Sequence, residues 1–173
     1  MKIIIGLGNP GEAYLDTRHN LGFIFLDYLK KQRDFPEFEE NKKFQALVSK
    51  KQEALLVKPQ TFMNLSGKSI QAILNFYKLS PADIIVIQDD LDIQTGKYKI
   101  ATNSSSAGHN GIENIIENLG TQEFKRVRIG IGQSTQEKLE CPLDMHNFVL
   151  GKLQKEEKEK IEKLFPEIEK EIR

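Results

Sequence analysis

The sequence predicts an α/β domain of three layers, and three observations carry that expectation. Short isoleucine- and valine-rich runs, each stopped by glycine or turn residues, alternate with segments whose apolar residues fall at helical spacing; that is how a sheet covered by helices on both faces is written. A length of 173 residues supports one well-buried core and is short for two, so 1–173 reads as a single domain. With 39% hydrophobic and 29% charged residues the composition is that of an ordered soluble chain.

The elements follow in order. Lys2 to Leu7 reads as a buried strand, a β-branched run stopped by glycines. Leu21 to Lys31 reads as a helix. Phe44 to Ser49 and Ala54 to Lys58 alternate apolar and polar residues around Lys50-Lys51-Gln52-Glu53, the pattern of a hairpin, and Pro59 ends it. Between Ser66 and Leu79 the residues Ile70, Ile73, Leu74 and Tyr77 share one helical face, with Ser66 as the expected N-cap. Ile84 to Ile87 is apolar throughout, as a central strand would be, and ends in the acidic segment Gln88-Asp89-Asp90-Leu91-Asp92. Lys97 to Ala101 reads as a short edge strand, Ile112 to Leu119 as a helix closed by Gly120, and Val127 to Ile131 as a strand. From about 153 to 173, lysine and glutamate alternate around Ile161, Leu164 and Phe165, which predicts a charged amphipathic helix interrupted at Pro166.

Composition narrows the function. A formal net charge of zero excludes a strong global field, so a nucleic-acid partner would need a local basic patch. The single cysteine, Cys141, excludes an internal disulfide and a cysteine-rich zinc site. Met1-Lys2-Ile3-Ile4-Ile5-Gly6 contains no run long enough for a signal peptide or membrane span, and the expected location is the cytoplasm.

Asparagine recurs where a hydrolase would place polar groups. Asn9 lies in a glycine turn, Asn20 and Asn110 each follow a histidine, and Asn64 closes Phe62-Met63-Asn64. An uncharged amide both donates and accepts, so it can hold an ester or a hydroxyl without imposing charge. Gly6-Leu7-Gly8-Asn9-Pro10-Gly11 matches the dinucleotide pattern G-x-G-x-x-G, but Pro10 removes a backbone donor where a pyrophosphate needs one, and no acidic residue stands where a ribose would be held. The glycines are better read as a tight turn presenting Asn9. Ser104, Ser105 and Ser106 lack the G-x-S-x-G elbow of a serine hydrolase and read as a mobile loop.

Among the histidines, His146 reads as a surface or capping residue. His109 precedes a helix, where a neutral imidazole could cap free N–H groups or serve catalysis; the sequence leaves both open. His19 follows the glycine turn near a strand's C-terminal edge and is the best candidate for a base, since imidazole with an ordinary pKa of about 6.5 can take a proton from water at neutral pH. Such a base needs a carboxylate to fix its tautomer, and Asp89 is well placed to supply it, although strand alternation could aim Asp89 or Asp90 inward. Asp89, Asp90 and Asp92 also raise a divalent-metal reading, which lacks a second cluster of ligands, and no metal is expected.

Taken in order, Gly6-Leu7-Gly8-Asn9-Pro10-Gly11, Thr17-Arg18-His19-Asn20, Lys58-Pro59-Gln60-Thr61-Phe62-Met63-Asn64-Leu65-Ser66-Gly67, Asp89-Asp90-Leu91-Asp92, Gly108-His109-Asn110-Gly111 and Arg128-Ile129-Gly130-Ile131-Gly132 resemble the bacterial peptidyl-tRNA hydrolases. The resemblance extends to about Leu153. It implies an esterase that cuts peptide from the 3′ ribose of tRNA, with a twisted mixed sheet flanked by helices, acting as a monomer without metal or cofactor. It further implies His19 as catalytic base, Asp89 as its partner, and Asn9, Asn64 and Asn110 as the groups holding peptide, water and the tRNA end. Phe62 and Met63 would line the same cleft.

The acceptor stem and 3′ end of tRNA are the expected partner, and Lys97, Lys99, Lys125, Arg126 and Arg128 come from segments that could converge into a basic face; Lys99 and Arg128 are the expected contacts. The chain departs from the family's usual pattern at Gln88, Asp90 and Ala101, where histidine, glutamate and a basic residue are common. The competing expectation is an RNA-binding module without catalysis, which would have no need of a base and its orienting acid.

Overall fold

A computed structural model describes residues 1–133 and 144–173; Cys141 lies outside them. Seven strands form one sheet: β1 (Lys2–Gly6), β2 (Glu39–Asn41), β3 (Ala46–Lys51), β4 (Ala54–Pro59), β5 (Ile84–Gln94), β6 (Tyr98–Ala101) and β7 (Lys125–Gly132). Their order is β2-β3-β4-β1-β5-β7-β6. The four inner strands β4, β1, β5 and β7 run parallel, while β2, β3 and β6 pair antiparallel, so the sheet is mixed as expected.

Helices α1 (Leu21–Gln32), α2 (Ser66–Tyr77), α3 (Asn110–Leu119), α4 (Met145–Leu150), α5 (Lys155–Glu162) and α6 (Phe165–Glu171) flank it. The two-residue period of the strands sorts the core into two layers. Ile3, Ile5, Leu55, Val57, Ile84 and Val86 face Ile70, Ile73 and Leu74 of α2 and Ile112 and Ile115 of α3. Ile4, Leu56, Ile85, Ile87, Val127 and Ile129 face α1, α4, α5 and α6, through Phe25, Leu29, Val149, Ile161, Phe165 and Ile168 among others. Because β1 lies between β4 and β5, the chain leaves β1 towards one side and returns on the other. A crevice opens at the carboxyl ends of strands flanking such a reversal.

Three expectations need correction, and two elements were not foreseen. The acidic segment does not follow a strand that stops at Ile87, for β5 continues through it to Gln94. The physical reason lies opposite, in Gly130 and Gly132 of β7. A Cβ on Gly132 would stand 2.1 Å from the carbonyl oxygen of Leu91, and one on Gly130 would stand 2.3 Å from that of Gln94, so glycine lets the two backbones meet. A register shift between Asp90 and Gln94 marks where β5 bends past β7.

Ser66 is inside α2, whose N-cap is Leu65, and its hydroxyl donates to the carbonyl of Met63 at 2.9 Å. The charged C-terminal segment forms two helices, with Pro166 in the first turn of α6, where a missing N–H costs nothing. Short β2 and α4 were not expected at all; three and six residues carry too little periodicity to be read.

Candidate active site

The crevice is a cleft of about 650 Å³ lined by residues from five separate stretches of chain. His19 reaches it from a 3-10 turn, Arg18–Asn20, that leads into α1. The turn can sit this low because α1 starts with Gly22 pressed on the sheet: a Cβ there would stand 2.3 Å from the Leu7 nitrogen and 2.6 Å from the Ile87 carbonyl oxygen.

Strand alternation decides between the aspartates. Asp89 continues the face of Ile85 and Ile87, towards α1, and its carboxylate accepts from His19 Nδ1 at 2.9 and 3.0 Å. Asp90 turns to the opposite face, where Arg128 Nε donates to it at 2.7 Å.

His109 caps a helix with one ring nitrogen and meets Asp89 with the other. As N-cap of α3, its Nδ1 accepts from the backbone N–H groups of Gly111 and Ile112 at 3.2 and 3.4 Å. An imidazole whose Nδ1 accepts must carry its proton on Nε2, and that nitrogen stands 3.0 Å from Asp89 Oδ1. Asp89 therefore receives two imidazole N–H groups, and His19, protonated on Nδ1, keeps the lone pair of Nε2 for the cleft. His19, Asp89 and His109 also form a group of potential metal ligands. The donor set fits hydrogen bonding better, because the His109 nitrogen that faces the group carries a proton and has no lone pair to give.

Electrostatics follow from this arrangement. Burial penalises the Asp89 carboxylate, but the charges and hydrogen bonds of His19 and His109 outweigh it and hold the group well below the usual carboxylate range. Burial likewise opposes a charged His19, yet the neighbouring Asp89 carboxylate wins and raises its pKa above the ordinary value.

The asparagines divide into a buried, fixed one and two exposed ones. Asn9 is clamped through its backbone by Asn20, whose side chain accepts from Asn9 N at 2.8 Å and donates to Asn9 O at 2.9 Å. Its own Oδ1 accepts from Met63 N at 2.8 Å, so the Nδ2 hydrogens are what Asn9 can offer the cleft. Asn64 and Asn110 line the cleft with exposed side chains, Asn110 as the first residue of α3.

Phe62 and Met63 form an apolar wall, Phe62 half exposed and meeting Tyr14 edge-on with ring centroids 6.4 Å apart. Met145, His146, Val149 and Leu150 of α4 supply a further wall that the sequence did not suggest, and His146 is thus an exposed residue at the cleft. The remaining side, Ser106–Gly108, continues from carbonyls of Ser104 and Ser105 that accept from Arg126 Nη2 at 2.6 and 2.9 Å.

The expected basic face is smaller than five residues. Arg126 is fully buried beneath that serine loop, and Lys125 points to the other face of the sheet, where its ammonium donates to Glu171 O at 3.1 Å. Lys99 and Arg128 stand opposite each other on β6 and β7, Lys99 exposed and Arg128 paired with Asp90. Lys97 is exposed at the preceding turn.

Residues 3–173 match the family model described as peptidyl-tRNA hydrolase. The chain belongs to the bacterial peptidyl-tRNA hydrolase family. It is 51% identical over 137 residues to a peptidyl-tRNA hydrolase of Brevibacillus brevis, covering 77% of this chain and 71% of the relative. It is 46% identical over 173 residues to the peptidyl-tRNA hydrolase of Fusobacterium nucleatum, covering 97% of this chain and 85% of the relative. A solved peptidyl-tRNA hydrolase from Acinetobacter baumannii superposes with a TM-score of 0.88 at 30% identity, over 99% of this chain and 86% of that one. Membership of this family accounts for the fold, including its mixed sheet, and for an ester-hydrolysing activity.

Proposed function

We propose that this chain hydrolyses the ester between a peptide and the 3′ ribose of tRNA, with His19 as general base. The observation that carries the reading is the His19–Asp89 contact at 2.9 Å, in which the Asp89 carboxylate accepts the Nδ1 N–H and so leaves the Nε2 lone pair free to take a proton. In this mechanism Nε2 removes a proton from a water in the cleft as its oxygen adds to the ester carbonyl. The Asn9 amide, fixed on three sides, supports a role as donor to the oxyanion that forms. Collapse of the tetrahedral species breaks the bond to the ribose oxygen, which takes the proton from the His19 imidazolium. The products are a free peptide and a tRNA ready for reuse. Asp89 stabilises the transient imidazolium by its charge, and His109 keeps Asp89 oriented.

In the same reading Asn64 and Asn110 bind the peptide and the tRNA end, Phe62 and Met63 receive apolar peptide side chains, and Lys99 with Arg128 meets phosphates of the acceptor stem. Exposure of Lys99 beside Arg128 supports that assignment. A single-domain monomer acting in the cytoplasm completes the proposal; among the described residues no helix is long and apolar enough to cross a membrane.

The test is hydrolysis of N-acetylaminoacyl-tRNA by wild type and His19→Ala, with unblocked aminoacyl-tRNA as control. Cleavage of the blocked ester alone, reduced by about 10²- to 10⁴-fold on substitution, is the expected result. A wild type that binds tRNA and leaves the ester intact would make the chain an RNA-binding module.

A further inference from the structure

The residue next to the base, Arg18, is engaged in a way that the hydrolytic mechanism does not use. Its guanidinium is nearly buried and makes a two-pronged pair with Glu157 of α5, Nε to Oε1 at 2.9 Å and Nη2 to Oε2 at 2.7 Å. Its third nitrogen, Nη1, donates to the Phe148 carbonyl of α4 at 3.1 Å, and its carbon centre lies 3.9 Å from the Phe148 ring centroid. The backbone joins as well: Arg18 N donates to Gly151 O at 3.0 Å and Leu153 N to Asp16 O at 2.9 Å, around a bridge between Thr17 and Lys152. Gly151 is where this becomes tight, since a Cβ there would stand 2.8 Å from Arg18 Nη1.

These contacts hold the C-terminal end of α4 and the segment that follows it, and Met145, His146, Val149 and Leu150 of α4 form one wall of the cleft. A helix of six residues is too short to hold its own place. Val149 is its only buried residue, and Met145 is 64% exposed. The side-chain anchors to Arg18 lie at the helix's C-terminal end and in the helix after it.

We infer that Arg18 is a positioning residue which fixes the α4 wall relative to His19, and so sets how tightly the peptide end of the substrate is held. The inference rests on the hydrolase reading. Arg18 touches neither substrate nor reacting atoms; it acts through Phe148 and Glu157. Lysine in its place keeps the charge but cannot span Glu157 and the Phe148 carbonyl together, because a single ammonium replaces a planar fork.

The experiment is steady-state hydrolysis by the full chain carrying Arg18→Lys, with wild type beside it, on two substrates built on one tRNA: an N-acetylaminoacyl ester and a longer N-blocked peptidyl ester. Expected is a rise in KM of roughly 3- to 30-fold, the usual range for coupling through packed contacts. The rise should be larger for the longer peptide, with kcat within about twofold of wild type and the acidic limb of the pH profile unmoved. Glu157→Gln is the second variant. Its amide oxygen can still accept from Gln154 N at the start of α5, as the Glu157 carboxylate does at 2.9 Å, so the helix cap survives while the ion pair is lost. It should give the same pattern more weakly, and melting curves show which variant is folded well enough to carry the comparison.

A fall in kcat with KM unchanged for both substrates is what partial unfolding would give, and it overturns the inference. So does a displaced pH limb, which would mean that Arg18 acts through His19, or KM values equal to wild type. A wild type that cleaves neither ester sinks the hydrolase reading itself, an outcome distinct from any of these.

Discussion

Replacing Asp89 by asparagine removes one charge and almost no volume, and the structure says which proton moves. The carboxylate accepts from His19 Nδ1 and from His109 Nε2, with Oδ1 3.0 Å from each and Oδ2 2.9 Å from His19. His109 cannot change its tautomer without turning an N–H towards the amides of Gly111 and Ile112, so the asparagine oxygen stays where Oδ1 was. The amide NH₂ then takes the place of Oδ2 and donates to His19 Nδ1. That inverts the His19 tautomer: the proton moves to Nε2, and the lone pair that should receive the water's proton is gone. The loss in kcat/KM should be about 10²- to 10⁴-fold, the range for removing general-base help.

The pH profile gives an independent check. In the wild type the Asp89 charge raises the His19 pKa despite burial, so the unprotonated base accumulates only above a midpoint higher than about 6.5. In Asp89→Asn burial acts unopposed and the midpoint of the residual activity should fall below about 6.5. The assay is initial rates on N-acetylaminoacyl-tRNA between pH 5 and 9, in steps of about half a unit. A limb that stays in place, or moves to higher pH, refutes the assignment of His19 as the titrating base under Asp89 control.

Asn9→Ala should lower kcat by about 10²- to 10³-fold if its amide meets the oxyanion. It should also lower stability by about 1–3 kcal/mol in denaturant melts, because the buried Met63 N–H loses its acceptor. Gly132→Ala should destabilise by about 1–3 kcal/mol and disturb β5 beyond Asp90, since the new methyl meets the Leu91 carbonyl at 2.1 Å; thermal melting and activity together would reveal it. Lys99→Ala should leave kcat unchanged and reduce the salt slope of tRNA binding by somewhat less than one unit, measured by titration at several ionic strengths. Acid should weaken the fold through Asp89: its pKa is depressed in the native state, so its stabilising contribution is present above the unfolded value of about 3.9 and fades as pH falls towards the native one.

Much of this architecture was legible because it is written in local chemistry. The isoleucine runs of β1 and β5 announce buried parallel strands, and Gly120, in left-handed conformation at φ 67°, closes α3 where the sequence placed its end. The site was legible for a different reason, since His19, Asp89 and the asparagines sit in short motifs at the ends of those elements. What stayed hidden depends on pairs distant in sequence. That Arg126 is buried follows from two loop carbonyls 21 and 22 residues away, and that Lys125 leaves the basic face follows from the C-terminal helix it meets 46 residues later. Neither contact leaves a periodic trace. The extension of β5 through three aspartates runs against strand preference, and only the glycines of β7 make room for it. His109 shows the limit most clearly: the sequence places it at a helix start, but the second contact, Nε2 to Asp89, joins residues 20 positions apart and leaves no local trace.

The bend in β5 has a bearing on which changes of length this chain can absorb. Up to Asp90 the strand is ruled by its neighbours, residue against residue, and a frame shift of one position anywhere in Ile84–Gln88 would carry Asp89 out of His19's reach and offer a neighbouring side chain instead. Past Asp90 the ruling is loosened, and the next paired position is Gln94 against Gly132. Insertions or deletions in the intervening three residues meet a joint already out of step, while those upstream meet a ratchet in which one tooth exchanges Asp89 for Gln88 or Asp90.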